Sequence, residues 1–356
     1  MWSACGCQTV GYYGQAVRGQ YELWSRQKPI ESLLKSSATP VELKNRLSLI
    51  LSLRDFAEKH LHLPANGHYL AYADLERRFV VWNVYAAPEF SLTPKSWWYP
   101  VVGSLDYRGY FSEQKARDYA HALEQQGFDI YVGGVTAYST LGWFHDPVLN
   151  TFIHDAEADL AELLFHELAH QRVFIPGDTE FNEAFATAVA EEGARRWMES
   201  RNDAAALEDY RIRTRRTEQF VELVADARQK LSLLYTNHSD VAFGPPADKT
   251  IKDSLLRAQK QEMLQGLREG YEQLKKEWSG SKDYDEWFHR SLNNAQLNTV
   301  DTYYRLVPAF KRAFSSNGEN WESFYGSIQS LKKLEKSERR AALEKLASAS
   351  HQAAAE

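Results

Sequence analysis

Apolar residues recur at helical spacing across residues 10–65. The clearest stretch opens at Pro40-Val41-Glu42 and carries Leu43, Leu47, Ile50, Leu51 and Phe56 on one face. Pro64-Ala65-Asn66-Gly67 ends it. Two runs rich in β-branched and aromatic residues then predict strands at His68–Leu75 and Phe79–Tyr85. Ser112 to Gln126 predicts a helix with a serine at its start and Gly127 just beyond its end. A further strand is expected over Asp129–Tyr138, bulged at Gly133-Gly134. The period returns to helical over Asp155–Phe174, and Pro176-Gly177 breaks it. From Glu180 onward the pattern is helical to the end, apart from a loop at Val241–Asp248 marked by Gly244-Pro245-Pro246. The expected fold is therefore α+β, mainly α: a small mixed sheet followed by a helical carboxy-terminal half. The chain divides on this reading into residues 1–9, an α+β part at 10–175 and a helical part at 176–356, with a cleft where the two large parts meet.

Composition narrows the classes. With 356 residues, 44% hydrophobic and 13% aromatic, the chain can bury a sizeable core as one large domain or two intimate ones. Net charge is −6, and the only basic run is Arg211-Ile212-Arg213-Thr214-Arg215-Arg216. It alternates with Glu208, Asp209 and Glu218, as a solvated helix face does, so no nucleic-acid partner is expected. No internal repeat stands out, and no apolar run reaches the length of a membrane span. The two cysteines, Cys5 and Cys7, lie too close together to frame a disulfide scaffold, and no further thiols exist to complete a cysteine metal site.

The chemistry concentrates in His166-Glu167-Leu168-Ala169-His170. Four residues along a helix turn about 400°, so the two imidazoles share one face about one turn apart. Two neutral ring nitrogens at that spacing can hold one Zn2+, and Glu167 on the edge of the same face can take a proton from a zinc-bound water. An ordinary amphipathic helix is the bland alternative. Against it, the histidines lie among Leu160, Leu163, Leu164, Phe165, Leu168 and Val173, where an imidazole needs a partner.

A catalytic zinc usually takes three protein ligands and leaves a fourth position open. The tight break at Phe174–Asp178 folds the next helix back against the first, and Asp178 or Thr179 can cap it. Glu183 then lies near the start of the second helix, and Ala184, Ala186, Ala188 and Ala190 allow close approach. Glu183 is thus the expected third metal ligand. Among the competitors, Asp178 and Glu180 suit the helix dipole as first-turn acids, while Glu191 and Glu192 suit a solvated face. His145 and His154 read as loop or cap residues.

With Asn182-Glu183-Ala184-Phe185-Ala186, the motif resembles that of the gluzincin metallopeptidases, in which the glutamate of an Asn-Glu-x-x-Ala helix is the third ligand. The 12 residues between His170 and Glu183 are fewer than the roughly 18 usual in the large one-zinc aminopeptidases. More closely, the chain resembles a bacterial family of predicted zinc aminopeptidases, many of them lipoproteins. That resemblance runs through Val10-Gly11-Tyr12-Tyr13-Gly14-Gln15-Ala16, Tyr138–Phe144, the zinc motif, Leu292-Asn293-Asn294-Ala295 and Thr302–Phe310. It implies a zincin-like core and zinc-dependent peptide-bond hydrolysis, with an aminopeptidase as the first expectation. It also implies a second donor to the tetrahedral oxyanion, for which Tyr303, rather than Tyr304, matches the family pattern.

The resemblance further implies a cell-envelope, periplasm-facing protein. Ala4-Cys5-Gly6-Cys7 resembles the end of a lipoprotein signal whose earlier part is truncated, with membrane attachment through a lipidated Cys7; a cytoplasmic protein is the alternative. Substrate is expected to be a peptide added as a strand along Ala137–Phe144. An aminopeptidase would also bind a free α-amine, and Glu180, Asp178 and Asp146 are the candidates for that task. Competing functions are an endopeptidase of envelope proteins and a non-catalytic binding lipoprotein with a structural zinc, for which Glu167 would have no use.

Overall fold

The computed structural model describes residues 3–100, 102–138, 145–239 and 246–353. Helix α1 (Ser3–Ser25) leads into a short strand β1 (Lys28–Pro29), helix α2 (Ile30–Lys35) and the long helix α3 (Val41–His60). The expected helical stretch at 10–65 is thus interrupted by β1 and again by the turn at residues 36–40, and it ends at His60. Of the expected stripe in α3, Leu47, Ile50 and Phe56 are buried and Leu43 and Leu51 half-buried, while Leu53 and Ala57 complete the buried face.

Strands follow: β2 (Ala71–Ala73), β3 (Val81–Pro88), β4 (Trp97–Tyr99), β5 (Gly103–Leu105) and β6 (Arg108–Tyr110). Helix α4 (Glu113–Glu124), strand β7 (Phe128–Val135), strand β8 (Val148–Leu149) and helices α5 (Glu157–Arg172) and α6 (Thr179–Ser200) come next. The remainder is helical: α7 (Ala204–Ser239), α8 (Pro246–Glu277), α9 (Asp285–His289), α10 (Asn294–Tyr304), α11 (Val307–Ser316), α12 (Trp321–Leu331) and α13 (Lys336–Ala353). The fold is α+β and mainly helical, and among the described residues no helix is long and apolar enough to cross a membrane. The side chain of Cys7 and residues 241–245 of the expected 241–248 loop lie outside the described residues; helix α8 already begins at Pro246.

The strands do not form one sheet. A mixed sheet has the order β1-β2-β8, antiparallel then parallel; an antiparallel sheet has the order β6-β3-β7; β4 and β5 pair as a separate ribbon. The strand expected at 68–75 shrinks to three residues: Tyr69 adopts a left-handed backbone conformation that extended chain cannot continue, and pairing with β1 and β8 ends at Ala73. The bulge expected at Gly133-Gly134 is absent: β3 and β7 pair in unbroken register from Pro88↔Phe128 to Val81↔Val135. Glycine is needed there for a different reason, since a Cβ at 134 would lie 2.4 Å from the ring of Phe79.

The largest core joins α3, α5, α6, α11 and α12 through residues such as Ile50, Phe165, Phe185, Phe310 and Phe324, so it crosses position 175/176. A second core lies between α7, α8 and α10, and a third between α4 and the antiparallel sheet. The buried Asn294 joins the helical half to the sheet region. Its Nδ2 donates to the carbonyls of Pro88, Glu89 and Ser91 at 3.1, 3.0 and 3.1 Å, and its Oδ1 accepts from the Tyr235 hydroxyl at 3.0 Å. Asn293 caps α10 by accepting the Gln296 N–H at 3.0 Å.

Candidate active site

Helices α5 and α6 lie side by side, and the turn between them sets which residues face each other. Gly177 takes a left-handed backbone conformation and donates its N–H to the Val102 carbonyl at 3.0 Å, which docks the β4–β5 ribbon on the turn. Asn182 closes the turn from the other side. Its Oδ1 accepts the Ile175 N–H and its Nδ2 donates to the Ile175 carbonyl, both at 2.8 Å, in a position only 2% exposed. Asp178 occupies the capping position of α6 but makes no side-chain cap. Its carboxylate instead pairs with the buried Arg339 of α13 at 2.7 Å.

The next residue, Glu183, faces both histidines of α5. His166 Nε2 lies 3.1 Å from Glu183 Oε2 and 3.2 Å from His170 Nε2, while His170 Nε2 lies 3.6 Å from the same carboxylate oxygen. Three atoms that could ligate a metal, one from each side chain, therefore fall within 4.8 Å of one another. This arrangement fits zinc. With metal–ligand bonds of about 2.0–2.1 Å, a tetrahedron has edges of about 3.3–3.4 Å, close to all three separations. Two neutral ring nitrogens that face each other need a shared cation or a proton between them, and the set holds two imidazoles, a carboxylate and no thiol, as catalytic zinc sites do.

Electrostatics follow from the crowding. Burial pushes the Glu183 carboxyl up, but His170 and His166 outweigh it and hold the group well below the usual carboxylate range. Burial lowers the His170 imidazole, yet Glu183 and Glu167 reverse that and raise it. Glu167 is raised by burial, with His166 and His170 pulling back. A carboxyl in that state holds a proton more readily than one in water.

The other acids that the sequence offered go elsewhere. Glu180 pairs with Arg340 and, at 3.5 Å, with Arg305. Glu191 is not on a solvated face: it is largely buried and pairs with Lys311 at 2.8 Å, whereas Glu192 binds Arg195 and Arg196. Asp146 sits with His68 at 3.3 Å, both side chains 3% exposed. None of Asp146, Asp178 and Glu180 lines the cavity that contains the histidines.

That cavity has a volume of about 440 Å³ and holds His166, Glu167, His170, Glu183 and Tyr303 in its wall. The Tyr303 ring stacks on that of His166 at 6.1 Å between centroids, whereas Tyr304 packs between the two larger cores. Tyr303 shares a hydrogen bond with Tyr85, and burial first, then Glu183, keeps its hydroxyl protonated far above neutral pH. Ala137 and Tyr138 also line the cavity but form no strand; residues 139–144 of the proposed substrate edge lie outside the described residues.

Sequence reasoning missed Asn83, Tyr85 and Tyr107. Asn83 and Tyr107 line the cavity, and Tyr85 and Tyr107 both lie within the field of Glu183. Strand β3 carried a signal: Val84 and Ala86 pack toward α4, which leaves the alternate positions 83 and 85 for the opposite face, and an asparagine in an apolar strand invites a question. Tyr107, on a short connection, carried none.

Neither the curated proteins nor the solved structures provide a match to this sequence. A family model described as "Putative aminopeptidase" matches residues 11–343, a span that takes in the paired helices, the cavity wall on α1 and Tyr303 on α10. The chain belongs to the putative aminopeptidase family.

Proposed function

We propose that this protein is a zinc-dependent peptidase with a zincin-like core, in which His166 Nε2, His170 Nε2 and the Glu183 carboxylate hold the metal. The observation that carries the reading is the meeting of those three groups at tetrahedral spacing, with Glu167 beside them in a partly closed cavity. Zinc, when bound there, supplies a Lewis acid that polarises a carbonyl and lowers the pKa of water.

The protein's own groups do the rest. Glu167 takes the proton of the attacking water on its carboxylate and then passes it to the leaving nitrogen, and its burial favours the protonated form between the two transfers. Tyr303 keeps its hydroxyl proton and can donate a hydrogen bond to the oxygen that gains charge in the tetrahedral state. Asn182 and the ribbon on Gly177 keep α6 in register with α5, so Glu183 stays opposite the histidines. The aromatic wall limits water around the reacting bond.

Glu167→Gln tests the reading directly. The variant should retain about one zinc per chain and lose about 10²–10⁴-fold in peptide hydrolysis, the usual worth of a general base. His166→Ala should lose the metal as well. Full hydrolysis by Glu167→Gln at normal zinc content would reject the assignment.

A further inference from the structure

The charge of the cavity wall is unusual for an enzyme that binds a free amino terminus. Among the described residues that line it, Glu167 and Glu183 are the only carboxylates. Glu183 is committed to the two imidazoles, and Glu167 has the proton to manage. The three acids that could have met an α-ammonium are engaged outside the cavity, with Arg339, Arg340 and His68. An ammonium group that leaves water without a counter-charge is strongly disfavoured. Aromatic faces could in principle receive it, but the ring of Tyr12 already carries the Arg108 guanidinium, 4.0 Å from its centroid. A fixed positive charge therefore stands behind that wall.

What the cavity does offer is apolar and neutral. Tyr12, Tyr99, Tyr107, Phe111, Tyr138 and Phe174 contribute rings, while Asn83 and Thr179 contribute uncharged polar groups. Thr179 is 4% exposed, and its hydroxyl has no hydrogen-bond partner among the described residues. An orphaned buried hydroxyl in a site wall suits a peptide N–H or carbonyl of a bound chain. A volume of about 440 Å³ accommodates one bulky residue and its flanking peptide groups rather than a long segment.

We propose that the site takes uncharged peptide segments with a bulky aromatic or aliphatic side chain beside the bond that is cut, and that it discriminates against a free α-ammonium. Cleavage then falls within chains or behind blocked amino termini. This substrate class rests on the peptidase reading above, and the two can fail separately.

The test uses the zinc-loaded full chain and two peptides that differ only in N-acetylation of a phenylalanine preceding the scissile bond. Each is paired with a non-hydrolysable ketomethylene isostere for calorimetry. The acetylated peptide should be cut with a kcat/KM at least equal to that of the free amine, and its isostere should bind at least 10-fold tighter. Replacing the phenylalanine by aspartate should weaken binding at least 10-fold. Asn83→Asp, which puts a carboxylate into the wall, should shift the preference toward the free amine by about 10-fold. A loss of 100-fold in kcat/KM on acetylation, or tighter binding of the free-amine isostere, would overturn the proposal. If neither peptide is cut while calorimetry still favours the acetylated isostere, the substrate class stands and the hydrolytic reading falls.

Discussion

Asn182 offers the sharpest check on how the fold builds the site. Its side chain satisfies both backbone groups of Ile175, each at 2.8 Å, in the turn that joins the helices carrying His166, His170 and Glu183. Asn182→Ala leaves a buried donor and a buried acceptor without partners. Each unmet group costs about 1–3 kcal/mol, and some water entry recovers part of that, so we expect a loss of about 2–4 kcal/mol. The substitution also frees the start of α6, which carries Glu183 one residue on, and zinc affinity should fall about 10- to 100-fold, as for other groups that orient a ligand. Urea unfolding of the metal-free protein, followed by tryptophan fluorescence, gives the first quantity; competition with a chelating dye gives the second. Asn182→Asp should be worse than alanine at pH 8, because its second oxygen would face the Ile175 carbonyl oxygen where Nδ2 now donates. A change below about 0.5 kcal/mol, with zinc affinity intact, would show that this pair of hydrogen bonds does not hold the turn.

Two other substitutions probe separate steps. Tyr303→Phe removes one donor from the cavity and should lower kcat about 100-fold with zinc content unchanged; a loss under about threefold would exclude an oxyanion role. Glu162 is pushed up to about 7 by burial, against the pull of Arg213 and Tyr210. Its carboxyl thus ionises near 4.5 in the unfolded chain but later in the folded one, so stability must fall as pH rises through that window. Wild type should lose on the order of 1 kcal/mol more than Glu162→Gln between pH 5 and 8, a figure reduced for a side chain about one-third exposed. Parallel unfolding curves for the two proteins at both pH values would refute the assignment.

Much of the site was readable because its first half is local. The spacing of His166 and His170 follows from helix geometry alone, and the break at Pro176-Gly177 implied a second helix folded back onto the first. Glu183 could be favoured over Asp178 and Glu180 from its depth in that helix. The long helices were legible for the same reason, since a repeat near 3.6 residues needs no knowledge of partners. The sheets were less so. Apart from β3 and β7 their strands are short, and where each stops depends on its pairing partners and on left-handed residues such as Tyr69, whose conformation nothing in the hydrophobic pattern reveals.

Chain order alone therefore determined the helical architecture, the imidazole pair and the glutamate beside it, because each depends on residues within a turn or two of one another. Only the tertiary structure decided the rest of the cavity: Asn83 and Tyr107 arrive from strands and connections far away in the chain, and Arg339 and Arg340 remove Asp178 and Glu180 from contention across more than a hundred residues. Such pairings depend on how separate elements pack. A pattern read one segment at a time contains no distance between them.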